Sequence, residues 1–124
     1  MNPTREQFEL AARSAGVEFH FGDGWQSDIP FRRVTESSGV VTGVEWKPHL
    51  PGIDNAMLAA GLKIDQEWTN AYAWAGGNGL AGRRRNYSDF QGTETERRAR
   101  AMAFAVFLVA VEIGRTMKEN QDGK

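Results

Sequence analysis

Cysteine does not occur among the 124 residues, which removes disulfides, thiolate metal ligands and cysteine nucleophiles at once and fits a reducing compartment. Histidine occurs only as His20 and His49, in neither the His-x-x-x-His nor the His-x-Glu spacing, so no transition-metal site is expected. An excess of either charge is missing too. The 15 basic and 16 acidic residues leave a formal net charge of -1, which makes no strong case for DNA or RNA as a partner and demands a local patch for any polyanion. The longest apolar run, "AMAFAVFLVAV" at 101–111, is about half of the roughly 20 residues that cross a bilayer, so no membrane partner is expected. The opening "MNPTREQFELAARSAG" has no apolar core of a secretory signal. No serine sits in a G-x-S-x-G turn, and the carboxylate clusters fall on predicted helix starts. No residue set points to catalysis or to a cofactor, and the chain is read as a non-enzyme.

What is present is a pattern of elements for one α+β domain over 1–118, followed by a polar tail at 119–124. Thr4 and Gln7 stand at capping-box spacing and Gly16 is placed to end a first helix, with Phe8, Ala11, Ala12 and Ala15 on one face. "VEFHF", "FRRVT" and "VVTGVEW" then read as an antiparallel meander separated by turn residues, with Val40, Thr42, Val44 and Trp46 sharing a face. "IDNAMLAAG" reads as a short helix led by Asp54 and stopped by Gly61. In "LKIDQEWTNAYAW" the large apolar residues Leu62, Ile64, Trp68, Tyr72 and Trp74 alternate with polar ones, which predicts one long strand, bent or straight. The expected architecture is an antiparallel sheet of about four strands covered by helices.

The last helix is predicted from about Glu94 to Met117, opened by Thr93 and Glu96 at capping-box spacing. From Ala101 to Val111 it offers no polar stripe, so either it is a central helix wrapped on both sides, with Phe104, Phe107, Leu108 and Val111 in the core, or it carries a self-association surface. The surplus of apolar surface here and in "WTNAYAW" leads to the expectation of a homo-oligomer. The arginines of "ETERRARA" are explained by helical spacing, Glu94 with Arg98 and Glu96 with Arg100, on an exposed face.

Between the strand and that helix stands "GGNGLAGRRRNYSDFQG", with five glycines and three consecutive arginines. Glycine-rich backbone can present successive N–H groups to an anion, and a helix start lies immediately downstream. Arg83, Arg84 and Arg85 add forked donors suited to phosphate, with no expectation that all three contribute equally. Asn78 and Asn86 supply polar groups, and Trp74, Tyr87 or Phe90 could stack a base. The stretch is neither a Walker loop nor a dinucleotide fingerprint. The other reading is a solvated loop whose arginines pair with Asp89 or neighbouring acids. A cyclic or phosphorylated nucleotide is the expected partner if the loop binds a ligand.

Three segments carry a family resemblance. The order Trp46-x-Pro48, a short loop and the Asp54-led helix in "VEWKPHLPGIDNAMLAAGLKI", the helix "TETERRARAMAFAVFLVAVEIG" and the opening "TREQFELAARSAGVEFHF" together resemble small phage and prophage proteins of the phage ABA (α–β–α) sandwich type. The likeness runs from about Thr4 to Gly114 and its motifs are structural; the glycine–arginine insert departs from the family pattern, so the likeness implies nothing about its role. It implies a phage accessory protein in the host bacterial cytoplasm, a class commonly directed against bacterial immunity. On that basis the expected function is an anti-defence sponge, binding and sequestering a nucleotide immune signal in an oligomeric cage. A protein-binding inhibitor of a bacterial immune complex, anti-CRISPR-like, and a phage housekeeping part remain open.

Overall fold

The chain is seen in a computed structural model that describes residues 3–69, 71–75 and 81–122. The first helix, α1 (Arg5–Ala15), opens as its spacing predicts: Gln7 N–H donates to Thr4 Oγ1 at 3.1 Å and Thr4 N–H to Gln7 Oε1 at 2.9 Å. Gly16 ends it with φ 67, a left-handed conformation in which glycine meets no Cβ clash. Strands β1 (Phe19–Phe21), β2 (Pro30–Thr35) and β3 (Val41–Glu45) follow as an antiparallel meander in that order. The register sets Phe19 opposite Arg32 and Arg33 opposite Gly43.

The Trp-x-Pro pair anchors this sheet. Trp46, 2% exposed, lies 5.7 Å from Phe19 and 6.2 Å from Phe8 between ring centroids, and Pro48 is fully buried beside it. Helix α2 (Ile53–Gly61) is then tied back by its first turn. Asp54 accepts from Arg32 Nε and from the Lys47 N–H, each at 2.9 Å. Asn55, buried, donates to the carbonyls of Pro48 and Ala103, each at 2.7 Å, so a polar side chain sits in the core with its donors satisfied. Gly61 is the last helical residue, and the left-handed position falls on Lys63 at φ 55.

The expected single strand over 62–74 is a hairpin. Strands β4 (Asp65–Glu67) and β5 (Tyr72–Ala75) pair antiparallel, Asp65 opposite Trp74 and Glu67 opposite Tyr72, and Ala71 at φ 49 lies in the turn. Of the large side chains in the alternation Ile64 is buried at 7%, but those from Trp68 to Trp74 do not mark the buried face. Ala73 and Ala75 point inward at 0% and 5% exposure, whereas Trp68 and Tyr72 are 51% and 37% exposed. Strand β6 (Ala81–Arg84) completes a second sheet, β4-β5-β6. The six strands therefore divide into two three-stranded antiparallel sheets rather than one sheet of about four, within the α+β class expected.

Helix α3 (Glu94–Asp122) is central and begins with its capping box intact, Thr93 N–H to Glu96 Oε1 at 3.1 Å and Glu96 N–H to Thr93 Oγ1 at 3.2 Å. The backbone donor of Thr93 holds the Glu96 carboxyl below its ordinary pKa. The helix continues past Met117 through the first residues of the expected tail, where Arg13 Nη1 donates to Gln121 Oε1 at 2.5 Å. Val106, Phe107 and Val109 are 0% exposed because α1, α2, β5 and β6 surround the helix. The wrapped reading of this helix describes it, and one copy of the chain buries the run apart from the half-buried Leu108. The α1–α3 crossing is close enough that a β-carbon at Gly114 would overlap the Leu10 carbonyl. Among the described residues no helix is long and apolar enough to cross a membrane.

Candidate functional site

Because α3 lies against β5 and β6, the inner face of β5 takes the small side chains of Ala73 and Ala75, and its aromatics lie on the other face. Tyr72 and Trp74, two apart on β5, stack with ring centroids 5.4 Å apart and planes inclined by 26°. Tyr72 is exposed and Trp74 half-buried. The β5–β6 register sets Tyr72 opposite Arg84 and Trp74 opposite Gly82, a residue with no side chain to cover the indole. The arginine strand and the stacked pair are thus neighbours.

Two of the three arginines hold ion pairs within the chain. Arg83 Nη2 lies 2.9 Å from Glu112 Oε2 on α3, and Arg115 Nε approaches the same oxygen at 3.6 Å. Arg85 Nη2 lies 3.4 Å from Asp89 Oδ2, and its guanidinium stands over the Phe104 ring at 5.2 Å and near Phe90 at 6.0 Å. Arg83 opposite Ala73 and Arg85 beyond the strand end are therefore bound to the packing of α3 as well as to the surface. Asn86 is exposed and its carbonyl accepts the Asp89 N–H at 3.2 Å. Tyr87 begins a short 3-10 turn, Tyr87–Asp89. The side chains of Arg84 and Tyr87 lie outside the described residues, as do Asn78 and the glycine run over 76–80 on which the backbone-nest expectation falls.

The helix start downstream is already partly spent. Thr93 and Glu96 cap each other, and Arg100 Nη1 donates to the Gln91 carbonyl, so a carboxylate of the chain occupies the end where an external anion was expected. Tyr72 is the site residue that sequence reasoning placed in a buried strand face. The signal that could have found it is the pair of alanines, Ala73 and Ala75, alternating with the aromatics: against a tightly packed helix the small side chains go in. Comparison with protein-family models, with curated proteins and with solved structures returns no match.

His49, between two prolines where a solvated or locally hydrogen-bonded side chain is the simple expectation, is neither. His49 is wedged edge-on between Phe8 and Phe107, at 5.6 Å and 6.0 Å, and its buried Nδ1 has no hydrogen-bond partner among the described residues. Burial, assisted by the Lys47 charge, lowers its pKa from 6.5 to about 4. Folding therefore excludes a proton that the unfolded chain binds, so stability is full above pH 6.5 and declines as pH falls from 6.5 toward about 4. His49→Phe is expected to flatten that part of the stability–pH curve, read by urea denaturation at a series of pH values; a slope unchanged by the substitution would assign it to other groups.

Proposed function

We propose that this chain is a non-catalytic binder of a phosphorylated nucleotide, with the outward face of β4-β5-β6 as its platform. The observation that carries the reading is the Tyr72–Trp74 stack, with Tyr72 exposed and Trp74 half-buried, beside an arginine-bearing strand. Stacking on such a pair accepts any base, and forked guanidinium donors suit phosphate oxygens. Since Arg83 and Arg85 already hold Glu112 and Asp89, Arg84, opposite Tyr72 in register, is the arginine whose replacement tests the charge. Arg84→Lys is expected to weaken binding nearly as much as Arg84→Ala if the phosphate is held bidentately.

The proposed biological role is sequestration: a phage-encoded sponge that removes a nucleotide immune signal from the bacterial cytoplasm without altering it. A sponge must outcompete a receptor, which sets the affinity near nanomolar, or about -12 kcal/mol. Calorimetric titration with a panel of cyclic and linear signalling nucleotides tests this, with the nucleotide recovered intact after release. Tight binding of none of them, or recovery of cleaved product, contradicts the proposal.

A homo-oligomeric form is part of the same reading. With the α3 surplus buried inside one copy, support for it comes from the β3 edge, where Val41 and Val44 are 56% and 42% exposed and the strand has no neighbour beyond it among the described residues. Light scattering is expected to give a multiple of 13.8 kDa. A clean monomer instead would turn the same exposed edge into support for the protein-binding inhibitor, which would add a strand of its target there.

A further inference from the structure

A second cleft, separate from the β4-β5-β6 sheet, opens where the end of α1 meets α2 and β2. It encloses about 470 Å³, within the size range of small-molecule sites. Trp46 and Leu58, each 2% exposed, line it together with the half-buried Val17 and Leu62. Ile53 and Met57, one helical turn apart on α2, also line it and remain 66% and 65% exposed. Two large apolar side chains left in water beside an apolar cleft are surface that an occupant would cover.

One charged group in this cleft has donors to spare. Arg32 lines it and is fixed through Nε to Asp54 Oδ1 at 2.9 Å, while Asp54 Oδ2 accepts the Lys47 N–H, also at 2.9 Å. The terminal nitrogens Nη1 and Nη2 take no partner among the described residues, and the side chain is 32% exposed. A guanidinium held from behind and offering its outer pair of nitrogens is organised in advance for a carboxylate. Asp54, which lines the cleft beside Arg32, opposes a second negative charge, which selects a monoanion over a phosphate dianion. A cationic head would meet the like charge of Arg32, while Asp54, which also lines the cleft, already carries one bond on each carboxylate oxygen.

We infer that the cleft between α1 and α2 binds a small amphipathic carboxylate, its apolar body against Trp46, Leu58 and Met57 and its head group on the outer edge of Arg32. This site does not depend on the nucleotide reading, and Trp74→Ala leaves it unchanged.

Calorimetric titration of the full chain with decanoate, decanol and decylammonium tests the inference, at concentrations below micelle formation. Decanoate is expected to bind saturably, decanol about tenfold more weakly for lack of the charge-assisted bonds, and decylammonium not at all. Met57→Asp, at an exposed position that leaves folding intact, is expected to weaken decanoate about tenfold or more by placing charge on the apolar rim. Arg32→Lys, which keeps the charge and removes the fork, is expected to weaken decanoate and leave decanol nearly unaffected. Equal binding of decanoate and decylammonium, wild-type affinity in Met57→Asp, or no saturable decanoate binding would each overturn the inference.

Discussion

Gly114→Ala is expected to destabilise the domain by about 3 kcal/mol, although the same exchange in an ordinary helix interior stabilises by about 1 kcal/mol. The sign is decided by the α1–α3 crossing. Gly114 is buried, and a β-carbon there would meet the backbone of Leu10, a neighbour that cannot rotate away as a flexible side chain could. The two helices must part, and the loss spreads to Ala11 and Ala12, which are buried on the same side of α1. A urea titration reads the effect as a fall in midpoint with unchanged slope. A midpoint that rises would mean that the helices do not approach each other so closely.

Phe107→Ala is expected to cost about 4 kcal/mol, a large part of the stability of a domain this size. The ring is fully buried and sits among three others, Phe8 at 5.8 Å, Phe104 at 5.9 Å and His49 at 6.0 Å. Those partners come from α1, from α3 itself and from the turn before α2, so no single element can close over the vacated space. Leu108, the next residue and half-buried, is expected to cost no more than about half as much on the same substitution. Equal losses at the two positions, measured by denaturant unfolding, would contradict a helix buried in this orientation.

The helix ends were legible in the sequence because their chemistry is local. Thr4 with Gln7, Thr93 with Glu96 and Gly16 each act within one turn, and each does what its spacing says. The meander was legible for a similar reason, since alternation and turn residues are read over a few residues; the burial of Trp46 was not, because alternation sets it on one face with Val40 and Val44, which are exposed. The β4–β5 hairpin was not. Tyr72 and Trp74 mimic a buried strand face, and what turns them from the core is the closeness of α3 to β5, a partner far along the chain, while Trp68 falls in the turn. The arginine cluster was half legible: its local partner Asp89 was foreseeable, while the 2.9 Å pairing of Arg83 with Glu112 depends on how the sheet lies on the helix. The glycine run itself, with Asn78, lies outside the described residues.

If the Tyr72–Trp74 pair is a base platform, parallel calorimetric titrations of the wild-type chain, Tyr72→Ala and Trp74→Ala with the tightest-binding nucleotide of the panel will separate the three. Stacking contributes about 1–3 kcal/mol per base. Each substitution is expected to weaken binding by roughly 5- to 150-fold on that basis, while the urea midpoint of Tyr72→Ala stays close to wild type because the residue is exposed. Wild-type affinity in both variants would contradict the account even if the nucleotide binds, because the ligand would then sit elsewhere on the chain.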